Sequence, residues 1–200
     1  MATLASNLYY AQQRFLHVEL VREKFSSIEF DACMFERCAF SECSFYRCTF
    51  LNCQFKNCDL SLIQVPNARF NSVHFKQSKL VGIDWTKAGT SKADRLLMSV
   101  SFDECVLDYG SFLGLHLREM QLVNCSAREV DFSGADLTGA TCAGTDFSAS
   151  TFLHTNLEKA DFGGARNYTI DPTANRIKGA KFTLPEALSL LRSFDIRIEF

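Results

Sequence analysis

The sequence lacks the segments that direct a chain into or across a membrane. Its first fifteen residues, MATLASNLYYAQQRF, contain neither the basic region nor the apolar run of a secretory signal. No apolar stretch approaches the length of a membrane span. The net charge is only −2, which argues against a basic nucleic-acid binder and against an acidic tail protein. We therefore expect a cytoplasmic protein that binds neither membranes nor nucleic acid directly.

The sequence also lacks the motifs of an enzyme or a metal centre. It has no glycine-rich phosphate loop and no Ser/His/Asp constellation, and its four histidines have no recurring carboxylate or nucleophile partner. Six of its nine cysteines, from Cys33 to Cys58, are spaced by five residues, which matches no zinc pattern of paired ligands. Without an export signal their thiols should stay reduced. We predict no enzymatic activity, no cofactor and no metal.

What the sequence does contain is an apolar residue at every fifth position. All fifteen multiples of five from Phe15 to Trp85 are apolar, and ten of them are phenylalanine. From Cys33 to Ile83 a small or aliphatic companion lies two residues before each centre, and the six spaced cysteines occupy this companion position. After Trp85 the register returns two residues out of step, with centres from Phe102 to Phe162. The cysteines are therefore interpreted as core residues.

A period of five fits neither a flat strand nor an α-helix. It fits a chain that turns a corner after every repeat, so that four sides make a twenty-residue coil and residues i and i+20 stack. Phe35, Phe55 and Phe75 would form one such stack. We predict an all-β fold, a right-handed quadrilateral β-helix over residues 1–182, with seven to eight coils.

The phase change locates an insertion at about residues 86–98. Seventeen residues separate Trp85 from Phe102, which we interpret as three repeats plus two residues. The stretch carries Lys87, Lys92 and Arg95 and has no usable centre. Insertions into solenoids fall on one face, often the binding face, but a tolerated surface loop explains the pattern equally well.

The C-terminal residues 183–200 change character. Thr183 and Glu186 form a capping box that begins a short amphipathic helix, and alternating apolar residues from Ile196 to Phe200 predict a strand. This is more than a solenoid end needs as a cover, so we predict a two-fold dimerisation module. Its predicted interface comprises Leu184, Leu188, Leu191, Phe194, Ile196 and Ile198.

The second half of the repeat is acidic. Residues 102–165 carry three Lys/Arg against ten Asp/Glu, and the register points all ten acids outward. A stiff rod with carboxylates along its middle resembles duplex DNA in its charge, although an aspartate before each centre is also part of the ordinary repeat. The acids that we predict to bind a partner are Asp103, Glu104, Asp108, Glu119, Glu129, Asp131, Asp136 and Asp146.

These repeats resemble the pentapeptide repeat family, whose motif is Ala/Asn–Asp–Leu/Phe–Ser/Thr–x. Residues 135–139 (ADLTG) and 160–164 (ADFGG) are clear copies, and the resemblance extends over roughly residues 15–182. The insertion, the acidic half and the C-terminal helix look like the topoisomerase-protecting branch, the Qnr and MfpA proteins. The stretches 58–63, 82–86 and 182–187 are most similar to the albicidin-resistance protein AlbG.

The resemblance implies a dimer that mimics B-form DNA, binds DNA gyrase and relieves poisoning by a toxin or drug such as albicidin or a quinolone. It places the protective loop at residues 86–98, one loop where Qnr proteins of Gram-negative bacteria usually have two. Topoisomerase IV is left open as a second target. The alternative is a generic β-helical scaffold with a partner that is not a topoisomerase, because fold likeness alone says little about activity.

Overall fold

The chain winds into a right-handed parallel β-helix of about eight coils, which confirms the predicted fold class. A computed structural model describes residues 8–89, 91, 94, 96, 98–194 and 196. Each five-residue repeat forms one side of the coil and ends at a corner residue with left-handed backbone geometry, such as Asn52 (φ 53°). Because each coil pairs only with its neighbours, the core is one continuous column.

The strands are short and pair in parallel, one coil with the next. In the described residues they are β1 (Tyr9–Ala11), β2 (Arg14–Leu16), β3 (Lys24–Ser26), β4 (Glu29–Asp31), β5 (Met34–Glu36), β6 (Ser44–Tyr46), β7 (Thr49–Leu51), β8 (Gln54–Lys56), β9 (Arg69–Asn71), β10 (Val73–Lys76), β11 (Val100–Asp103), β12 (Gln121–Val123), β13 (Asp161–Phe162) and β14 (Lys181–Phe182). Within the same described residues there are two 3-10 helices, Trp85–Lys87 and Glu186–Phe194.

Four ladders define the four sides of the rod. The first side holds β1, β4, β7 and β9, and the second holds β2, β5, β8, β10, β11 and β12, followed by β13 and β14. The third side is a ladder of isolated bridges from Glu19 to Arg166, and the fourth begins with β3 and β6 and reaches Thr151 through bridges. The sides follow one another along the chain in this order.

Stacked aromatic rings fill the core, as the i, i+20 register predicts. Phe35 stacks on Phe55 with ring centroids 4.5 Å apart, and Phe55 stacks on Phe75 at 5.1 Å. Phe132 lies between Phe112 and Phe152 at 5.3 and 5.2 Å. Each stacked pair adds about 0.5–1.5 kcal/mol to the stabilisation from burial alone.

The companion positions are also buried, and the polar residues among them bond to backbone groups of the neighbouring coil. All nine cysteines are free thiols in the core, which confirms their predicted place. The Cys38 and Cys58 thiols lie 3.4 Å from the carbonyl oxygens of Phe15 and Phe35. Further along the rod, Thr145 fills such a position: its hydroxyl donates to the Leu122 carbonyl (2.7 Å) and accepts from the Cys125 N–H (3.2 Å). A buried hydroxyl is tolerated there because both of its bonds are made.

The insertion is longer than predicted from the sequence. Most neighbouring coils pair residues 20 apart, whereas Val73 pairs with Val100 and His74 bonds to Ser101, 27 positions along. The insertion therefore adds seven residues to two repeats, and the expected three repeats plus two is wrong. It leaves the rod between the fourth and first sides, where the first-side sheet ends at β9. The second-side sheet continues through β10 and β11 without interruption.

The C-terminal end departs from the register in one coil. Twenty residues after Phe147 the five-residue register reaches Asn167, but Tyr168 takes the core place and packs edge-on against Phe162 with ring centroids 5.7 Å apart. The C-terminal 3-10 helix follows β14, and its Leu190 packs against the core. In the part of the chain that the structure describes, no helix has the length and apolar character needed to span a bilayer.

Candidate partner-binding surface

The eight predicted partner-binding acids occur on all four sides of the rod. They lie on the second side (Asp103), the corner after it (Glu104), the third side (Asp108 and Asp146), the corner after that (Glu129), the fourth side (Asp131), the first side (Asp136) and the corner before the second (Glu119). They do not share one face. A partner that contacts them all would have to wrap around the rod.

Asp146 is not a surface residue, so the expectation that all ten acids point into solvent is wrong. Its side chain is only 4% exposed and accepts hydrogen bonds from Arg128 (3.1 Å), Asn167 (2.9 Å) and Ser148 (2.7 Å). Arg166 lies 3.9 Å away on the next coil. Burial alone would raise the pKa of Asp146, but these donors hold it well below its ordinary value. This carboxylate joins three coils and is needed by the fold.

Asp103 and Asp136 are also engaged within the rod. Asp103 pairs with Lys76 on the preceding coil at 2.6 Å, and Asp136 pairs with Arg118 at 3.0 Å. Burial would raise the pKa of Asp136, but bonds from the Thr138 hydroxyl and N–H, with Arg118 beside it, lower the pKa below its usual range. The charges of these two acids are partly cancelled before any partner arrives.

The other five acids form no ion pair among the described residues, although Glu104 accepts a hydrogen bond from the Gln77 side-chain amide (2.9 Å). Two of them serve the backbone locally: Asp108 accepts from the Arg128 N–H (2.9 Å), and Asp131 accepts from the Ser133 N–H (2.9 Å). The remaining three, Glu104, Glu119 and Glu129, are exposed corner residues with left-handed backbone geometry. These glutamates are the acids that are freest to meet a partner.

The insertion is tied back to the rod by charge. Asp94 pairs with Arg69 of β9 at 3.0 Å and caps a turn with Ser91. Lys87 is exposed and lies 3.6 Å from Asp84. Leu96 is half exposed, while the other two predicted loop residues, Lys92 and Arg95, lie outside the described residues. The described part of the loop thus packs beside the first side and presents mixed charge.

The C-terminal helix differs from the predicted one in type. It is a 3-10 helix that begins at Glu186, so Leu184 lies before it and is 75% exposed. The Thr183 hydroxyl accepts from the Gly164 N–H (3.0 Å), and the structure shows no reciprocal bond from Glu186, so the predicted capping box is wrong.

The six predicted interface residues divide into two groups. Leu188 and Leu191 are half-buried, while Leu184, Phe194 and Ile196 are exposed. Ile196 belongs to no strand, and Ile198 and Phe200 of the predicted strand lie outside the described residues. The exposed apolar residues at this end are therefore Leu184, Phe194 and Ile196.

A groove that was not predicted from the sequence lies beside this helix. Glu186, Ser189 and Arg192 share one edge of it, because residues three apart eclipse each other in a 3-10 helix. In the sequence, the three-residue spacing of Glu186, Ser189 and Arg192 is the signal for this row. The four-residue spacing of Leu184 and Leu188 indicates an α-helix instead. No group of His, Cys, Asp or Glu in the described ranges is arranged to hold a metal ion.

Family models match most of the repeat region. A model described as "Pentapeptide repeat region" matches residues 28–94, and one described as "Pentapeptide repeats (8 copies)" matches residues 101–139 and 128–164. Together they cover both halves of the rod and leave out the end of the insertion. A comparison with curated protein sequences gave no match.

Solved structures of low sequence identity share the fold. A trypsin-treated form of QnrB1, a plasmid-mediated fluoroquinolone resistance protein, is 18% identical with a TM-score of 0.73, covering 98% of this chain and 100% of that chain. Full-length QnrB1 is 20% identical with a TM-score of 0.60, over 92% and 100% of the two chains. HetL from Nostoc sp. strain PCC 7120, involved in heterocyst differentiation regulation, is 13% identical with a TM-score of 0.51, over 86% and 85%. At such identities the likeness shows the architecture.

Proposed function

The chain belongs to the pentapeptide repeat family, and we propose that it binds DNA gyrase by mimicking duplex DNA. Binding would protect gyrase from a toxin or drug that poisons it, such as albicidin or a quinolone. The proposal keeps the cytoplasmic location expected from the sequence and requires no catalysis by this chain.

The observation that carries the proposal is a set of three exposed carboxylates, without an ion pair, at the corners of a rigid rod. Glu104, Glu119 and Glu129 project from corners of two successive coils without a cation partner among the described residues. Each corner repeats from coil to coil at ~4.8 Å, so the rod holds these charges at fixed positions on three of its corners. Duplex DNA likewise presents phosphates on a lattice, and a cationic groove that accepts one would attract the other.

Two likenesses support gyrase as the partner. Stretches 58–63, 82–86 and 182–187 resemble the albicidin-resistance protein AlbG. The architecture is that of QnrB1, whose described role is fluoroquinolone resistance. Protection against albicidin is the more specific form of the proposal, because the chain has one insertion where Qnr proteins of Gram-negative bacteria usually have two.

A gyrase supercoiling assay tests the proposal. We expect the purified protein to inhibit supercoiling alone and to restore it when albicidin or a quinolone is present. Topoisomerase IV, assayed by decatenation, decides whether the second enzyme is also a target. If the protein at tens of micromolar neither inhibits nor rescues either enzyme, the topoisomerase proposal fails.

We further propose that the insertion acts in protection and not in binding. Removing residues 91–97 takes out seven residues, which restores the 20-residue register across the break. We expect this variant to keep its melting temperature within a few degrees and to inhibit supercoiling, but to rescue poisoned gyrase poorly. A matched variant that lacks residues 92–97 breaks the register by one residue and should unfold more easily. Unchanged rescue by the seven-residue deletion would show that the loop is only a surface excursion.

We also propose that two chains associate through the C-terminal end. Leu184, Phe194 and Ile196 are 75%, 49% and 55% exposed there, and apolar side chains in such a group are typical of an interface. Replacing Leu184 and Phe194 with serine should yield monomers by light scattering. Leu153, 47% exposed on the fourth side, provides the matched control, and its serine variant should remain dimeric. A monomeric parent protein, or an unchanged dimer mass in the double variant, would rule out this interface.

A generic protein-interaction scaffold is the second candidate, because one side of the rod is almost uncharged. From residue 111 to residue 153 the fourth side carries a single charge, Asp131, beside the exposed Leu113 and Leu153. Such a surface suits a protein partner that is not a topoisomerase. This candidate would be favoured if substitution of Leu113 and Leu153 abolishes function in the cell and the protein has no effect in the supercoiling assay.

A further inference from the structure

A groove of about 540 Å³ lies between the last coils and the C-terminal 3-10 helix. Its size falls in the range of small-ligand sites. The rod contributes Ala149 and Tyr168, and the helical segment contributes Glu186, Leu188 and Arg192. The groove is therefore framed by two separate parts of the chain.

The helical wall of the groove carries one acid and one base that do not pair with each other. Glu186 and Arg192 are six residues apart, which is two turns of a 3-10 helix and about 12 Å at ~2 Å per residue. Neither forms an ion pair with any described residue. Ser189 lies between them, where its hydroxyl donates to the Tyr168 carbonyl at 3.4 Å. The groove thus has a negative end and a positive end.

The rod wall holds a buried hydroxyl without a partner. Tyr168 is 3% exposed, and its hydroxyl makes no hydrogen bond within the described residues. Burial, with Glu186 nearby, raises the pKa of Tyr168 to about 12, so the group remains protonated and able to donate. An unsatisfied buried donor is costly, and such a group calls for an explanation.

We propose that this groove binds a short zwitterionic peptide of about three residues. The peptide's ammonium group would lie at Glu186 and its carboxylate at Arg192, since an extended tripeptide spans ~10 Å. A central apolar side chain would pack against Pro185, Leu188 and Ala149. A peptide carbonyl would accept a hydrogen bond from the Tyr168 hydroxyl after a small movement of the groove wall. This site is independent of gyrase and of the acidic corners.

Titration of the full-length protein with the tripeptide Gly-Leu-Gly tests the site, with binding measured by calorimetry and by NMR. We expect saturable binding, weakened by about fivefold when the peptide is N-acetylated and by a similar factor when it is C-amidated. In Glu186→Gln the N-acetyl effect should vanish while the amide effect remains. In Arg192→Gln the reverse should hold. These paired losses assign each end of the peptide to one residue.

Two controls separate the site from general effects on the rod. Arg176→Gln removes a cation that pairs with Glu158 at 2.9 Å outside the groove, and it should leave binding unchanged. Tyr168→Phe keeps the ring and should weaken binding several-fold without lowering the melting temperature. Absence of binding at 5 mM peptide overturns the proposal. Binding whose affinity is unchanged in both Glu186→Gln and Arg192→Gln overturns it as well. Neither outcome bears on the supercoiling assay, so the two proposals fail separately.

Discussion

Neutralising Asp146 should destabilise the rod although its neighbours on the surface tolerate the same change. In Asp146→Asn the charge-assisted bond with Arg128 (3.1 Å) is lost. The new side chain also carries an NH2 group in place of one carboxylate oxygen, and this donor cannot accept the hydrogen bonds that Arg128 and Asn167 donate. A hydrogen bond to a charged group contributes about 1.5–3 kcal/mol, and only 4% of this side chain is exposed to screening water. We expect a loss of about 2–3 kcal/mol, which lowers the melting temperature by roughly 4–12 °C for a chain of this size.

The loss should depend on pH in a defined direction. The folded state lowers the pKa of Asp146, so the unfolded state binds the proton more tightly. The stabilisation from this carboxylate is complete above the unfolded pKa of ~3.9 and is lost as the pH falls toward the folded pKa. The difference in melting temperature between the parent protein and Asp146→Asn should therefore be largest near neutral pH and should shrink below pH ~4.

Glu129→Gln is the matched control for this prediction. Glu129 is one of the exposed corner acids and has no cationic partner in the described part of the chain, so its neutralisation should change stability by less than ~0.5 kcal/mol. Thermal unfolding followed by circular dichroism at pH 7 and pH 3 measures both variants. Equal melting temperatures for the two variants at pH 7, or a gap that widens in acid, would refute the structural role of Asp146.

Two further predictions concern packing and corners. Phe132→Ala empties the place between two stacked rings, and we expect a loss of about 3–5 kcal/mol, measured as a fall in melting temperature far larger than for the exposed Leu153→Ala. Gly144→Ala places a methyl group 2.3 Å from the Asn124 Oδ1 atom at a corner with φ 68°, so we expect destabilisation of about 1–2 kcal/mol, partly relieved by Asn124→Gly. An unchanged melting temperature in either variant would contradict the packing described here.

The period of five predicts the fold because the same side-chain size recurs wherever the chain points inward. The length of the insertion cannot be predicted in the same way, because a phase slip gives only the remainder after that length is divided by five. Two extra residues and seven extra residues produce the same slip, and only the pairing of Val73 with Val100 distinguishes them. Tyr168 shows a second limit: continued past Phe162 the register would reach Asn167, whereas the residue that is buried in the core is Tyr168.

The side of the rod on which each acid lies follows from the register, but the cation that pairs with it does not. A register that assigns Asp146 to the outer surface says nothing about Arg128, which reaches it from the preceding coil, 18 residues earlier. The signal is present as a cation 18 residues before the acid, and it recurs with Arg118 and Asp136. The helix type was not predictable from the leucine spacing, because the same residues also fit a 3-10 helix.

The central claim is that the exposed corner glutamates are the part of the rod that gyrase recognises. We would compare two triple variants of equal charge change in the supercoiling assay: Glu104, Glu119 and Glu129 to lysine, and Glu19, Glu23 and Glu29 to lysine. Both sets are exposed, and the second lies in the first two coils. We expect the first variant to need at least tenfold more protein for half-inhibition, while the second stays within about threefold of the parent protein, a difference of ~1 kcal/mol or less. Equal loss in both variants, or inhibition by the first variant at the parent concentration, would contradict it.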